Sequence, residues 1–326
     1  MKAIVGRRYG LPLEVLRLED VPEPGHPDEC QVLVRVVAAG VNALDKHLVL
    51  GEPRLTRLAG TGLRAPRRII AGRDVAGVVA AVGPGVTGFR PGDEVLGCTG
   101  GTFAEFTTAD EESLVPKPAR LTFVEAAALP IAGMTALQAL RQVADVQPGQ
   151  RVLITGASGG VGSFAVQIAA ALGAEVTAVC ATRNVDWVGG LGAGQVVDYT
   201  AQDWTARGQQ YDVVLELAGR PPLGAVRHSL VDGGIQVLSG GEGGRFLGPV
   251  PRGLAAMVGA VLTRSRSVMF LANERRETLA GLLEFVEAGT VKPIVEHTFP
   301  LAEGAAAVEH LRQGHTRGKT VVSVSA

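Results

Sequence analysis

One stretch of the chain, VLITGASGGVGSFAVQIA (Val152–Ala169), constrains the fold more than any other. An apolar run of the strand type leads into Gly156, Gly159, Gly160 and Gly162, and a helix-patterned run follows. Glycine permits sharp backbone angles and close approach of backbone N–H groups to an anion, and a helix N-terminus adds positive partial charge. A strand, a glycine turn and a helix in this order predict a phosphate-binding unit.

Strand-like and helix-like segments alternate around this turn. Such alternation predicts a parallel sheet with right-handed crossovers, that is, a doubly wound α/β domain that binds a dinucleotide, spanning residues 123–271. The predicted strands are Arg151–Thr155, Glu175–Cys180, Gln195–Val197, Tyr211–Leu217, Gly234–Leu238 and Ser267–Leu271.

The sequence on either side of this domain has a different pattern. Residues 1–122 contain short β-like runs broken by Pro-Gly and Gly-Asp turns, which predicts a β-rich domain. Residues 272–326 hold a helix, a strand, another helix and a final strand, and we expect this segment to return to the β-rich domain. A chain of 326 residues is long enough for two such lobes.

Composition excludes several classes of function. The 31 basic and 32 acidic residues give a net charge of -1 without long runs of like charge, so we expect no nucleic-acid partner. No apolar run reaches the length of a membrane span, and the start of the chain does not resemble a signal peptide, which predicts a soluble cytoplasmic protein without a membrane partner. Cys30, Cys98 and Cys180 lie too far apart for a cysteine-rich zinc lobe.

Several longer motifs accompany the glycine turn. They are AAGVNALDKH (Ala38–His47), AGRDVAGVVAAVGPGVTGFRPGDEV (Ala71–Val95), GTFAEF (Gly101–Phe106), AAALPIAGMTALQAL (Ala126–Leu140) and GHTRGKTVV (Gly314–Val322). Together these motifs resemble the medium-chain dehydrogenases/reductases, specifically their zinc-free, quinone oxidoreductase-like branch, which includes zeta-crystallin-like proteins. The resemblance implies a GroES-like catalytic domain, a Rossmann domain, a cofactor cleft between them and usually a homodimer.

The positions that bind catalytic zinc in metal-dependent relatives are altered. Asn42 and Arg73 occupy the apparent ligand positions, and an arginine cation cannot coordinate zinc. We therefore expect no metal. Reduction of a quinone or an activated alkene must then rely on hydrogen bonds to the substrate oxygen.

The resemblance suggests four catalytic candidates. Asn42 matches an asparagine that faces the nicotinamide and the substrate, and Thr135 matches a threonine placed against the nicotinamide ring. Asp45 or His47 is a candidate to supply or relay the proton. The alternatives are that Asn42 is only a turn residue, that Thr135 only bonds to its own helix, and that Asp45 and His47 belong to a solvated charge cluster on a loop.

The same comparison of motifs assigns the cofactor site and favours NADPH. In NAD-binding domains a carboxylate after the second strand binds the ribose, and the corresponding position here has none. Arg183 lies there instead, and its planar, permanently charged guanidinium group is suited to bind a phosphate. The predicted cofactor-binding residues are Thr135, Ser158, Gly159, Gly160, Val161, Thr182, Arg183, Tyr199, Gly240 and Lys319.

These features predict a zinc-independent, NADPH-dependent oxidoreductase that transfers hydride to a quinone or an α,β-unsaturated carbonyl compound. The alternative is a non-catalytic NADPH-binding protein of the crystallin-like or RNA-binding kind. Ser267–Leu271 should be the last strand of the sheet, with unpaired backbone groups at its edge, so we also expect a homodimer.

Overall fold

A computed structural model describes residues 1–67, 69–219, 221–240, 244–261, 264–314 and 316–325. The chain divides into two compact units. The first unit comprises Met1–Ala132, Glu274–Leu283 and Pro293–Ala326, and the second comprises Gly133–Asn273 and Glu284–Lys292. These boundaries differ from the predicted breaks after residues 122 and 271. The helix α3 and the start of α4, defined below, pack with the first unit, and Glu284–Lys292, in the segment expected to return to the first unit, packs with the second.

Strands dominate the first unit, and strands alternate with helices in the second. The strands are β1 (Lys2–Gly6), β2 (Leu16–Asp20), β3 (Gln31–Val41), β4 (Asp74–Val82), β5 (Glu94–Cys98), β6 (Phe106–Asp110), β7 (Leu114–Pro116), β8 (Arg151–Thr155), β9 (Glu175–Cys180), β10 (Gln195–Asp198), β11 (Tyr211–Glu216), β12 (Leu230–Ser239), β13 (Arg266–Phe270), β14 (Val295–Pro300) and β15 (Lys319–Ser323). The helices are α1 (Pro12–Val15), α2 (Ala43–Leu50), α3 (Phe123–Ala127), α4 (Pro130–Leu137), α5 (Gly160–Ala171), α6 (Val185–Gly189), α7 (Leu223–His228), α8 (Val250–Val261), α9 (Arg276–Glu287) and α10 (Gly304–Gln313). Short 3₁₀ or π-helical turns occupy Arg57–Thr61, Glu111–Ser113, Gln138–Val143, Thr182–Asn184, Trp204–Ala206 and Leu301–Glu303.

The first unit is built on a sheet with the order β14-β15-β3-β4-β5-β7, and β6 also pairs with β3. Both neighbours of β3 on this path, β15 and β4, run antiparallel to it. Alternate β3 residues Val32, Val34 and Val36 are fully buried, as expected for a sheet with one face on a core. The return of β14 and β15 to this unit places residues from both ends of the chain at one sheet edge.

The second unit contains a six-stranded parallel sheet with the order β10-β9-β8-β11-β12-β13. The chain leaves β8 toward β9 on one side and later places β11 on the other, so the topology switches between β8 and β11. In such sheets, ligands bind beyond the carboxyl ends of the strands at the switch point. The predicted α/β class, with a β-rich unit and a doubly wound unit, is confirmed.

Candidate active site

Three polar side chains meet in the interior of the first unit. Asn42 follows the last residue of β3, Asp74 begins β4 and Lys319 begins β15. Because β4 and β15 run antiparallel to β3, their first residues lie beside its end. The exposed fractions of Asn42, Asp74 and Lys319 are only 5%, 0% and 3%. The sheet topology therefore buries two opposite charges and an amide together.

The ammonium group of Lys319 donates to three acceptors in this cluster. They are Oδ1 of Asn42 at 2.5 Å, the carbonyl oxygen of Val41 at 3.0 Å and Oδ2 of Asp74 at 3.3 Å. Nδ2 of Asn42 donates to Oδ2 of Asp74 at 2.8 Å. Since an ammonium carries three N–H donors, the geometry does not support the predicted contact of Lys319 with a phosphate.

The second carboxylate oxygen of Asp74 is also occupied. Its Oδ1 accepts the backbone N–H of Ile131 at 3.1 Å and lies 3.6 Å from Sγ of Cys98. Burial, followed by the neighbouring Asp74 charge, raises the pKa of Cys98 well above its ordinary value. Cys98 is therefore a buried thiol that packs in the core and is not a reactive thiolate.

Asp45 lies on helix α2 and not on a solvated loop. The backbone N–H of Asn42 donates to Oδ2 of Asp45 at 2.7 Å, which is the acidic half of a capping box at the start of the helix. The other oxygen, Oδ1, is buried without a hydrogen-bond partner. Burial raises the pKa of Asp45 from 3.8 to about 7, with the nearby Asp74 charge acting in the same direction. Asp45 can therefore exist as a neutral acid near neutral pH.

His47 lies one turn before the end of the same helix and is half-buried. Burial lowers the pKa of His47, and the charge of Lys46 lowers it further. The lowered pKa favours the neutral imidazole, so less of the imidazolium that would supply a proton is present, and the ring is a weaker base than an ordinary histidine.

A largely apolar cavity of about 420 Å³ lies within the first unit. Asp45 and Arg73 both line it. Arg73 directly precedes β4 and pairs through Nη2 with Glu274, while its Nε is buried and has no hydrogen-bond partner. The remaining lining comes mainly from apolar side chains and glycines, including Val15, Leu16, Leu48, Val49, Ile70, Gly72 and Gly101.

The predicted glycine turn of the second unit has the expected geometry. Gly156 follows β8 with φ +65°, a left-handed conformation that favours glycine. A Cβ on Gly162 would lie 2.1 Å from the carbonyl oxygen of Gly156, so only glycine allows α5 to begin this close to the turn. Ser158, Gly159, Gly160 and Val161 form the end of the turn and the first residues of α5. The N–H of Gly159 donates to the carbonyl oxygen of Gly156 at 3.0 Å and tightens the turn, and the helix start that follows is of the kind that binds anions.

A second cavity, of about 570 Å³, lies in this unit at the carboxyl ends of the strands. Gly156 lines it beside Val179 of β9 and Ala218, which follows β11, and Tyr199 lines it beyond β10. These strands flank the topological switch point. The glycine turn, the helix start and the position of this cavity therefore fit a dinucleotide.

The residues predicted to select NADPH lie beside an acidic side chain. Asp198 ends β10 and is in register with Cys180 at the end of β9. Its Oδ1 accepts from Thr200 Oγ1 at 2.7 Å, and that hydroxyl lies 2.7 Å from Thr182 Oγ1. Hydrogen bonds from Thr182, then Thr200, lower the pKa of Asp198, so it is charged at neutral pH. The local sequence after β9 lacks a carboxylate, but the parallel register supplies one.

The other predicted cofactor residues are distributed over the second unit. Arg183 is exposed in the turn that follows β9, and Tyr199 is 53% exposed. Gly240 directly follows β12 with φ +83°. Thr135 is half-buried on α4. The structure thus brings Asn42, Asp45 and Lys319 together in the first unit and places the glycine turn, Thr182, Arg183 and Tyr199 at one end of the second sheet.

Sequence reasoning missed Asp74 and the burial of Lys319. A signal for Asp45 was present, since Asn42 and Asp45 have the spacing of a capping box.

Within the described part of the chain, no group of three or more His, Cys, Asp or Glu side chains is arranged to hold a metal ion. None of the described helices is long and apolar enough to cross a bilayer.

Comparison with known proteins identifies the family. The alcohol dehydrogenase GroES-like domain matches residues 28–119, and the zinc-binding dehydrogenase family matches residues 191–322. A quinone-oxidoreductase of Triphysaria versicolor, the chloroplastic QR1, is 33% identical over 99% of this chain and 98% of its own. The chain is a quinone oxidoreductase-like medium-chain dehydrogenase/reductase. The resemblance found in the sequence motifs is therefore confirmed.

Other members of this superfamily extend the comparison. The structure of the quinone oxidoreductase from Coxiella burnetii superposes with a TM-score of 0.87 at 31% identity, covering 99% of both chains. The chloroplastic NADPH-dependent alkenal/one oxidoreductase of Arabidopsis thaliana is 32% identical over 99% of this chain and 79% of its own. Membership in this group makes the chain an oxidoreductase that uses a nicotinamide cofactor.

Proposed function

We propose that the chain is a zinc-independent oxidoreductase that uses NADPH to reduce quinones or α,β-unsaturated carbonyl compounds. The observation that carries the proposal is similarity over 99% of this chain, at 33% and 32% identity, to proteins named for quinone and alkenal/one reduction. The glycine turn and the cavity at the switch point support the cofactor half of the proposal. When bound, the cofactor supplies a hydride to the substrate.

In the second unit, backbone N–H groups and polar side chains would bind NADPH. Backbone N–H groups at Ser158–Val161, together with the dipole of α5, would bind the pyrophosphate. Arg183 would pair with the 2′-phosphate, with Thr182 and Tyr199 beside it, and Gly240 would let backbone approach the cofactor. Asp198 opposes this preference because its negative charge lies beside Thr182. We propose that the attraction between Arg183 and the 2′-phosphate is stronger than the repulsion from Asp198.

The proposal that the enzyme works without zinc rests on the residues at the apparent zinc-ligand positions, Asn42 and Arg73. Arg73 cannot act as a metal ligand because its guanidinium stays protonated. The amide of Asn42 is held between Lys319 and Asp74, so its oxygen already accepts an ammonium hydrogen bond. An amide nitrogen carries two N–H groups, and we propose that the one not directed at Asp74 donates to a substrate oxygen. Stoichiometric zinc by elemental analysis, or loss of activity with chelators, would overturn this part.

The deciding experiment is a screen of quinones, 2-alkenals and cyclic enones with NADPH and NADH, in which the products are identified. We expect NADPH oxidation coupled to formation of a hydroquinone or a saturated carbonyl compound. Tight NADPH binding without turnover on any acceptor would instead favour a non-catalytic, crystallin-like protein. The near-zero net charge gives the RNA-binding alternative no support.

We also propose that the enzyme is a homodimer. β13 ends the sheet order of the second unit, and within the described residues it pairs only with β12. Large apolar side chains around this edge are exposed, with Val258 at 71% on α8 and Leu271 at 92% after β13. An unpaired strand edge beside exposed apolar side chains is suited to self-association about a two-fold axis.

A further inference from the structure

Asp45 and Arg73 line the same cavity of the first unit. Each carries one buried polar atom without a hydrogen-bond partner, Oδ1 in Asp45 and Nε in Arg73. Buried polar groups in proteins are nearly always hydrogen-bonded, and each unmade bond is costly. Two such groups on side chains that line one cavity therefore indicate a ligand that carries a hydrogen-bonding oxygen.

The rest of the cavity restricts what that ligand can be. Its volume of about 420 Å³ lies in the range of small-molecule sites, and Val15, Leu48 and Val49 supply apolar walls. Four charged side chains line it, of which Arg8 and Arg67 are exposed, whereas Asp45 is buried and Arg73 is mostly buried. The interior thus presents one acid and one cation among apolar walls.

Arg73 is oriented by its ion pair with Glu274. The contact occupies Nη2 and leaves Nε–H without a protein acceptor. A guanidinium is planar and permanently charged, so fixing one end fixes the direction of the remaining donors. Such a preorganised donor stabilises negative charge on an oxygen better than a mobile one.

We infer that Arg73 and Asp45 form a two-point anchor for the carbonyl oxygen of a compact quinone or cyclic ketone, whose ring occupies this cavity. The inference rests on the proposed function and adds the residues that select the substrate. Arg73 Nε–H donates to the oxygen in its carbonyl form and more strongly once reduction has made the oxygen negative. In its protonated form Asp45 donates through Oδ1 to the same oxygen, and in its ionised form Oδ1 accepts from a hydroquinone hydroxyl.

The first test measures binding without reduction. 1-Tetralone is a bicyclic ketone that can be titrated by calorimetry in the absence of NADPH. We expect Arg73→Gln to weaken its binding between about 10-fold and 100-fold, the range of one hydrogen bond to a charged group. Arg35→Gln is the matched control, because Arg35 is exposed on β3 of the same unit and does not line the cavity.

A second pair of variants remains informative if Arg73→Gln fails to fold. Leu48→Trp adds bulk to the wall of the cavity, whereas Leu44→Trp changes an exposed position on the same helix. We expect only Leu48→Trp to abolish 1-tetralone binding and to raise KM for 1,4-naphthoquinone by at least tenfold. Equal 1-tetralone affinity in Arg73→Gln and Arg35→Gln, or in Leu48→Trp and Leu44→Trp, would overturn the inference.

The outcomes separate this inference from the proposed function. If 1,4-naphthoquinone is reduced normally but neither cavity variant changes its KM, the inference fails and the function stands. If 1-tetralone binds through Arg73 but no acceptor is reduced, the anchor stands and the function fails.

Discussion

Nζ of Lys319 lies 3.3 Å from Oδ2 of Asp74, and both side chains are almost fully buried although 245 positions separate them in the chain. An isolated ion of either sign would be expensive in this environment. The pair is tolerated because Asn42 and the carbonyl of Val41 complete the hydrogen bonds of the ammonium. Removing one partner should therefore cost more than removing both.

Lys319→Met leaves the Asp74 carboxylate buried and unpaired, and we expect it to lower the free energy of unfolding by about 3–5 kcal/mol. The double variant Lys319→Met/Asp74→Leu should recover part of this loss. Urea unfolding monitored by circular dichroism measures both. Lys2→Met is the control, because its ion pair with Asp20 is exposed and should change stability little. A double variant no more stable than Lys319→Met would contradict the explanation.

Asp45 should make stability depend on pH in an unusual direction. Its pKa rises from 3.8 to about 7 on folding, so the folded chain binds more protons than the unfolded chain between these values. Stability from this group is therefore present at low pH and decreases as the pH rises toward 7, by at most ~1.4 kcal/mol per pH unit. We expect Asp45→Asn to gain stability relative to wild type between pH 5 and pH 8.

The measurement is the urea midpoint of both proteins at several pH values in this window. Asp20→Asn is the control, because Lys2 lowers the pKa of that exposed carboxyl and its titration ends below the window. Parallel pH profiles for wild type and Asp45→Asn would show that Asp45 is ionised throughout the window.

Arg183 and Asp198 should shift cofactor choice in opposite directions. Arg183→Ala removes the proposed partner of the 2′-phosphate and should weaken NADPH by about 10- to 100-fold with little change for NADH. Asp198→Asn removes a negative charge beside Thr182 and should strengthen NADPH binding. Fluorescence titration of each variant measures its affinity for NADPH and for NADH. An equal effect of Arg183→Ala on the two cofactors would refute its assignment.

The proposed dimer can be disrupted at its exposed apolar edge. Introducing a charge at Val258 and Leu271, as Val258→Glu/Leu271→Glu, should halve the mass measured by light scattering at micromolar concentration. Leu13→Glu serves as the control, since Leu13 is 55% exposed in the first unit. A wild-type protein that is already monomeric at this concentration would exclude the dimer.

Elements that depend on local pattern could be predicted from the sequence. All six parallel strands of the second unit overlap the predicted segments, because each contains adjacent apolar residues between turn residues, although β12 begins at Leu230 and not at Gly234. Helix α2 was missed since Asp45 and His47 read as a polar cluster, although Asp45 is buried.

Relationships between distant residues could not be predicted in the same way. The contact of Lys319 with Asp74 depends on β15 joining β3, and the position of Asp198 beside Thr182 depends on the register between β9 and β10. Neither the pairing of β15 with β3 nor the register between β9 and β10 can be inferred from the local sequence. The cavity that joins Asp45 to Arg73 is likewise a product of tertiary structure.

The pairing of β15 with β3 has a consequence for the order of folding during synthesis. The sheet of the second unit uses only strands from Arg151–Thr155 to Arg266–Phe270, so it can close as soon as that continuous segment has left the ribosome. The first unit must wait for β14 and β15, and until they arrive the last residues of β3, from Ala38 to Val41, lack this strand partner and Asp74 lacks Lys319. During synthesis the end of β3 is therefore an unpaired strand edge, and such edges are open to wrong strand pairing.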